Sequence, residues 1–321
     1  MSAVQGSLEL AEQLGKLLGP RHPVAAAATI TPGSVTVASI GTGLGNDFEI
    51  GSISKGLTGM LYVETVERGE VGPDSNLGEH LPLGDVPAAE VTLQSLTVHR
   101  SGLPRLPRSA QPLRRTLDLW RRGTNPYGED VEQLIAQAKE VVLGAKRPRY
   151  SNFGFELLGH ALASAAATDY ASLVRRRIAE PLELDSVNVP SAPAELRPGA
   201  LIGQSRGGRP RDPWTGKAIG PAGGIRASIK DMARLTSALL DSTAPGMAAL
   251  DPVASMARKT RIGAGWLVNE FNGRTVTWHN GGTGGFRSWL GVDRTAGQGA
   301  VILTATSASV DHHGFRLLLD K

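Results

Sequence analysis

Cysteine is absent from the sequence, and aromatic residues make up only 5% of it. Without cysteine the protein has no disulfide, no thiol nucleophile and no cysteine-ligated metal site. Long apolar runs are also missing, since none approaches the roughly 18 residues that a membrane-spanning helix needs. The remaining composition, 40% hydrophobic and 20% charged, is ordinary for a globular protein. We therefore expect a globular protein with no membrane partner.

The N-terminal segment lacks the uninterrupted apolar core of a secretory signal, because Glu9, Glu12 and Lys16 break it up. Its leucines recur at helical spacing as far as Gly19-Pro20. This pattern predicts an amphipathic helix. Together with the absence of cysteine, it favours a cytoplasmic location.

The net charge of +4 is modest for 321 residues, although the arginines are clustered. The clusters lie at 114–115, 121–122, 175–177 and 206–211. A basic surface can bind nucleic acid, but no aromatic residues are interleaved here for base stacking. We interpret the clusters as solvated helix faces and loops, and expect no nucleic-acid partner.

Strand-like patterns occupy both ends of the chain, and helical patterns occupy its middle. Strands are predicted at 24–30, 34–40, 264–271, 274–278, 286–292 and 300–306, with an Asn272-Gly273 hairpin turn. Helices are predicted at 52–68, 93–99, 131–143, 153–165, 170–179, 229–240 and 314–320.

This order of elements predicts an α+β fold. One antiparallel β-sheet is assembled from both ends of the chain and is flanked by N- and C-terminal helices. Residues 1–55 and 225–321 are expected to form this α/β lobe, and residues 56–224 an inserted, mostly helical lobe. The cleft between two such lobes is the expected place for a small-molecule site.

The first candidate catalytic pair is Ser52 and Lys55, in the run Ser52-Ile53-Ser54-Lys55. If a helix begins at Ser52, Lys55 lies one turn on and faces the same way. A buried amine has a lowered pKa and can take a proton from the hydroxyl. The alternative is that Ser52 only caps the helix and Lys55 is a surface lysine. The motif alone leaves both open, because so short a pattern is common by chance.

The second candidate is Tyr150-Ser151-Asn152, which precedes an apolar helical pattern. Tyr150 and Asn152, two residues apart at a helix entry, can point into one cavity. The phenol could exchange protons, and the amide could orient a ligand or a neighbouring ammonium. The alternative is that Asn152 caps the helix and Tyr150 packs in the core.

The third candidate is His279-Asn280-Gly281-Gly282, which we predict to end one strand shortly before another begins. Glycines at a strand edge let a substrate approach the backbone and expose amide donors. A phosphate-binding loop is excluded, because such a loop opens onto a helix. A glycine-rich hairpin with a structural histidine is the remaining alternative.

Two other motifs are set aside. Gly203-Gln204-Ser205-Arg206-Gly207 matches G-x-S-x-G, but the glycines and prolines that follow do not allow the helix that a nucleophile elbow requires. Asp311-His312-His313 has no third ligand at metal-site spacing, so we interpret it as a surface turn. We expect no metal site and no cofactor.

Taken in chain order, S-x-x-K, Y-x-N and a strand-ending H-x-G resemble the motifs of the serine β-lactamase and penicillin-recognising superfamily. The Y-x-N form is similar to the class C branch, with its esterases and DD-peptidases. Three further segments resemble that branch: "FEIGSISKGLTGML" at its nucleophile, "VTLQSLTVHRSGLP" and "AIGPAGGIRASIKDMARL". The resemblance covers residues 24 to 306.

The resemblance implies a role for each candidate. Ser52 matches the acylated nucleophile, Lys55 its activating partner and Tyr150 the general acid/base. Asn152 matches the residue that orients lysine and substrate, while the amides of Ser52 and Gly282 match the oxyanion hole. His279-Asn280-Gly281 departs from the usual K-T-G, so no fixed lysine charge is available for a β-lactam carboxylate.

We therefore expect an enzyme that forms an acyl-serine with a small-molecule acyl substrate, most simply an esterase or amidase. A transacylase that passes the acyl group to an amine or alcohol would use the same residues. A third hypothesis is that the protein is not an enzyme but a catalytically silent family member that binds a ligand.

Overall fold

The computed structural model describes residues 3–107 and 110–320. Its centre is a nine-stranded antiparallel sheet with the strand order β1-β3-β2-β11-β10-β9-β8-β7-β6. The strands are β1 Val4–Gly6, β2 Ala25–Thr31, β3 Ser34–Ile40, β6 Ala254–Ala257, β7 Thr260–Ile262, β8 Leu267–Phe271, β9 Arg274–Gly282, β10 Arg287–Asp293 and β11 Gln298–Thr304. The expected α+β fold with a sheet built from both ends of the chain is confirmed.

Helices cover both faces of the sheet and fill the middle of the chain. They are α1 Leu8–Leu18, α2 Ile53–Glu67, α3 Leu77–His80, α4 Leu93–Thr97, α5 Pro112–Arg122, α6 Val131–Glu140, α7 Asn152–Ala165, α8 Tyr170–Val174, α9 Ile229–Leu240 and α10 Asp311–Leu319. Helices α1 and α10 pack on one face of the sheet, and α9 packs on the other. The flanking terminal helices are thus confirmed.

The alternation of side chains along each strand divides the core into two layers. In β2, Ala26, Ala28 and Ile30 face the larger core that contains α2, α7 and α9. Ala25 and Ala27 face the smaller core under α1 and α10. Because both faces are covered, the run of small alanines lets helices pack closely on either side.

The Asn272-Gly273 hairpin forms as predicted between β8 and β9. Asn272 has a φ of 51° and Gly273 a φ of 81°. A two-residue hairpin turn needs two consecutive residues in the left-handed region. Asn-Gly is the pair that adopts this conformation most readily.

Several elements differ from the sequence prediction. Helix α10 begins at Asp311, so the surface turn expected at Asp311-His312-His313 is wrong: these residues form the first helical turn. The short strands β1, β6 and β7 were not predicted, because three or four residues carry too little alternation. Helix α5 was not predicted either, and of its side chains whose burial is described none is buried, with Leu113 and Trp120 88% and 72% exposed.

A small two-stranded sheet joins the segments that flank the predicted helical lobe. Its strands are β4 Asp47–Glu49 and β5 Arg226–Ser228. Arg226, the first residue of β5, is fully buried and donates to Asp47 at 3.0 Å and to Glu49 at 3.1 Å. This pairing fixes the start of α2 next to the loop that precedes β5. The division into two lobes at residues 55 and 225 stays a prediction.

Candidate active site

Ser52 lies at the N-terminus of α2, three residues after the end of the buried strand β4. Gly51 precedes it with a φ of 52°, a conformation that favours glycine. Ser52 itself has helical backbone angles, and its hydroxyl makes no capping bond to the described first turn. The sequence alternative of a simple N-cap is therefore wrong, and the hydroxyl is left free for other contacts.

Lys55 lies one turn further along α2 and is fully buried. Its Nζ donates to Ser52 Oγ at 3.2 Å and to the carbonyl of Ala222 at 2.5 Å. Burial lowers the pKa of this amine to about 7, against the opposing effect of the Glu156 carboxyl. The alternative of a surface lysine is wrong. At neutral pH a large fraction of Lys55 is an uncharged amine beside the serine hydroxyl.

The loop Gly220–Gly224 presents the Ala222 carbonyl to Lys55. Thr58, one turn after Lys55, anchors this loop by donating to the Pro221 carbonyl at 2.8 Å. The Thr58 hydroxyl is also 2.7 Å from the Tyr170 hydroxyl. Helix α2 thus holds both the candidate base and the loop that orients it.

Tyr150 approaches the pair from the loop before α7, and its hydroxyl is close enough to the Ser52 side chain for Ser52 to affect its pKa. Its ring centroid lies 4.9 Å from Lys55 Nζ and 4.5 Å from the centroid of the His99 ring. Burial raises the pKa of the phenol to about 12, although the Ser52 side chain opposes the shift. Tyr150 is therefore protonated at neutral pH and can donate a proton.

Asn152 is the first residue of α7 and is buried. Its amide nitrogen donates to the Tyr127 hydroxyl at 2.7 Å, and Lys55 donates to Ser52 and Ala222 rather than to the Asn152 side-chain oxygen. The helix cap is Ser151, whose hydroxyl accepts from the Gly154 amide at 2.8 Å. The alternative that Asn152 caps the helix is therefore wrong, and its side chain is available to the site.

His279 lies within β9, which ends at Gly282, so His279 to Gly282 close the strand as predicted, although the strand is longer than the range 274–278. Its partner in β10 is Leu290, a residue of the larger core. The pleat therefore directs His279 and Gly281 to the face that carries Lys55. Burial, with the nearby Lys55 ammonium, lowers the pKa of His279 to about 4. The imidazole is neutral at pH 7.

Gly281 and Gly282 come very close to the backbone that leads to Ser52. A Cβ atom on Gly281 would lie 2.0 Å from the Ile50 carbonyl oxygen, and one on Gly51 would lie 2.6 Å from the Gly282 nitrogen. Only glycine permits this approach at either position. It places the Gly282 amide beside the nucleophile segment, where an oxyanion-hole donor is needed.

The sequence prediction missed several residues of the site: His99, Tyr127, Glu156 and Ala222. His99 has a φ of 56°, and its Nδ1 accepts from the Ser151 amide at 3.2 Å. It was visible within "VHRSGLP" but carried no chemical signal of its own. Glu156, a single acidic residue in the apolar pattern of α7, was a signal that the prediction did not use.

The motifs set aside from sequence do not enter the site. The hydroxyl of Ser205 accepts from the Arg209 amide at 3.1 Å, and a turn rather than a helix follows it. Over residues 3–107 and 110–320, no three histidine or acidic side chains cluster to hold a metal ion. In the same ranges, no helix has the length and apolarity that crossing a bilayer requires.

Comparisons with known proteins agree on the family. The D-alanyl-D-alanine-carboxypeptidase/endopeptidase AmpH of Escherichia coli K12 is 30% identical over 200 residues, which are 60% of this chain and 49% of AmpH. The chain spans about half the length of the curated relatives it matches.

Two solved structures show the same fold. A class C β-lactamase from Rhodobacter sphaeroides superposes with a TM-score of 0.74 at 21% identity, covering 92% of this chain and 93% of that one. A D-stereospecific amidohydrolase from a Streptomyces species gives 0.74 at 20% identity, covering 89% and 90%. The family model described as Beta-lactamase matches residues 19–320. Since this match covers nearly the whole chain, the protein belongs to the Beta-lactamase family.

Proposed function

We propose that this protein is a serine acyl-transfer enzyme that hydrolyses an ester or amide of a small molecule through an acyl-Ser52 intermediate. One observation carries the proposal. The uncapped Ser52 hydroxyl accepts a hydrogen bond from the buried amine of Lys55, and this amine lies 4.9 Å from the centroid of the Tyr150 ring. Family membership supports acyl transfer by a serine, and the comparison with AmpH supports an amide-cleaving hydrolase.

The pKa values of Lys55 and Tyr150 indicate which of the two accepts a proton and which donates one. Neutral Lys55 takes the proton as Ser52 Oγ attacks the substrate carbonyl carbon, because its pKa of about 7 leaves it partly deprotonated. The amides of Ser52 and Gly282 stabilise the oxyanion, each contributing roughly 3 kcal/mol. Tyr150 gives its proton to the leaving atom and regains one from the Lys55 ammonium. Water then attacks the acyl-serine by the reverse sequence.

His279 affects which class of substrate the site binds well. A neutral imidazole offers no fixed positive charge where the motif usually has lysine. Binding of a carboxylate next to the reactive carbonyl is therefore weaker than at a lysine. This favours esters and amides over β-lactams as substrates. An amine or alcohol acceptor in place of water would use the same residues, and the cytoplasmic location stays a prediction.

The decisive experiment is covalent labelling. A fluorophosphonate or an activated ester should add one adduct to the intact protein, located by peptide mass spectrometry at Ser52. The adduct should be absent from Ser52→Ala and present in Ser205→Ala. A wild-type protein without adduct would favour the silent ligand-binding hypothesis. If product forms only when an amine is added, the enzyme is a transacylase rather than a hydrolase.

The rate should depend on pH through Lys55. Its pKa is lowered, and the active form is the deprotonated one, so kcat/KM should rise with pH through a midpoint of about 7 and then level off. Tyr150, with a pKa of about 12, should cause no decline below about pH 10. The profile between pH 5 and pH 10 with a neutral ester checks this. A rate that is flat between pH 6 and pH 8 would contradict it.

A further inference from the structure

Arg105 lies at the edge of the candidate active site, in the segment between α4 and α5. Its carbonyl accepts from the amides of Asn152 and Phe153, each at 3.2 Å, and this fixes its backbone to the start of α7. The residue is exposed, and its guanidinium carbon lies 5.6 Å from the centroid of the Tyr150 ring. Lys55 Nζ lies 4.9 Å from the same centroid. Arg105 therefore places a permanent positive charge next to the candidate catalytic phenol.

No described carboxylate neutralises this charge. Within the part of the chain that the structure describes, the Arg105 guanidinium makes no hydrogen bond or ion pair and contacts the Tyr150 ring. Arg105 also lines a cavity of about 160 Å³, together with the carboxyls of Glu129 and Glu156. Glu129 is bonded to Arg115. Burial raises the pKa of Glu156 to about 8, so this carboxyl is mostly protonated at pH 7.

The charge of Arg105 acts on the reacting groups. Burial lowers the pKa of Lys55, and the Arg105 charge adds to this effect. Burial raises the pKa of Tyr150, and the Arg105 charge opposes the rise. His279 is neutral at pH 7, because burial lowers its pKa to about 4. The potential at the nucleophile is thus positive, and such a site attracts an anionic substrate.

The position of Arg105 indicates where the negative charge of such a substrate lies. A carboxylate next to the reactive carbonyl would be bound from β9, where His279 replaces the usual lysine. Arg105 belongs to a different segment, and its guanidinium lies over the face of the Tyr150 ring rather than at the hydroxyl. An anion bound there is several bonds away from the carbonyl under attack. A carboxylate at the far end of an acyl chain meets this requirement.

We propose that Arg105 binds a carboxylate at the far end of the acyl chain of the substrate. The inference rests on the proposed function and specifies its substrate class as monoesters or monoamides of dicarboxylic acids. A guanidinium offers two parallel N–H donors that match the two oxygens of a carboxylate. Because Arg105 is exposed, water and salt screen the contact, and its effect on the rate is moderate.

Substrate pairs that differ only in charge test the proposal. The mono-p-nitroanilides of glutaric acid and glutaramic acid have the same shape but end in a carboxylate or a neutral amide, and succinic and adipic homologues vary the chain length. Wild type should prefer a carboxylate member by about fivefold or more in kcat/KM, and added salt should reduce this ratio. In Arg105→Gln the ratio should fall towards one, whereas Arg105→Lys should retain part of it.

The matched control is Arg176→Gln, which removes the same charge from another exposed position and should leave the ratio unchanged. Its neighbour Arg177 is paired with Glu64, near the C-terminal end of α2 and away from Ser52. Fluorophosphonate labelling of Ser52 shows whether each variant is folded. The monomethyl esters of the same acids form equivalent pairs for an enzyme that cleaves only esters.

Wild type that cleaves no carboxylate member faster than its neutral partner would overturn the proposal. So would an Arg105→Gln variant that slows both members of a pair equally, because Arg105 would then only support Tyr150. A preference confined to p-acetamidobenzoate over p-acetamidobenzamide would place the anion on the leaving group and overturn its assignment to the acyl chain. Absence of any adduct on Ser52, with fluorophosphonate as well as with the substrates, would instead refute the proposed function.

Discussion

Replacing Ser52 with alanine is expected to lower kcat by on the order of 10⁴-fold or more, because no acyl-enzyme can form. The fold should be unaffected. The Ser52 hydroxyl is only partly buried and makes no helix cap among the described residues, so the free energy of unfolding should change by no more than about 1 kcal/mol, the net contribution of its hydrogen bond from Lys55. Steady-state hydrolysis of a nitrophenyl ester and urea denaturation measure the two quantities.

Two other serines serve as controls for this experiment. Ser205 is the serine of the G-x-S-x-G pattern, and Ser205→Ala should keep full activity. Ser54, two residues after the nucleophile, is buried, and its hydroxyl accepts from the Ile225 amide at 3.3 Å. Ser54→Ala should therefore lower stability more than it lowers the acylation rate per folded molecule. Loss of activity in Ser205→Ala with an active Ser52→Ala would mean that the wrong serine was chosen.

The parts of the site that sequence could predict depend on local geometry. Ser52 and Lys55 are three residues apart in one helix, so their proximity follows from the helical repeat alone. Tyr150 joins them from almost a hundred residues away, and only the order of motifs, through the resemblance, predicted that convergence. The structure does bring the three side chains together. Their chemical roles remain the subject of the experiments above.

The parts that sequence could not predict depend on tertiary packing. The bond from Asn152 to Tyr127 joins residues 25 apart, and no local pattern specifies it. That Glu156 Oε1 lacks a hydrogen-bond partner among the described residues likewise becomes visible only when its surroundings are known. The strand range predicted at 274–278 was too short, because pairing with β10 carries β9 on to Gly282. In each case the neighbour that decides the outcome lies on a distant segment.

The other large effect is expected from Lys55→Met, which removes the candidate base and keeps a side chain of similar length. The rate of acylation should fall by about 10² to 10⁴, the range for groups that transfer protons. The Ala222 carbonyl loses its donor, but a buried amine is also removed, so the two effects on stability oppose each other. Any residual activity should lack the rise through pH 7.

Lys55→Arg distinguishes a base from a fixed charge. A guanidinium stays protonated at every pH used, so it can attract an anion but cannot accept the serine proton. If Lys55 acts as the base, Lys55→Arg should be as slow as Lys55→Met. Circular dichroism and urea denaturation should accompany the assay, because the larger side chain enters a fully buried position. A folded Lys55→Arg enzyme with near wild-type rates would show that the ammonium acts as a charge, and that another group takes the proton from Ser52.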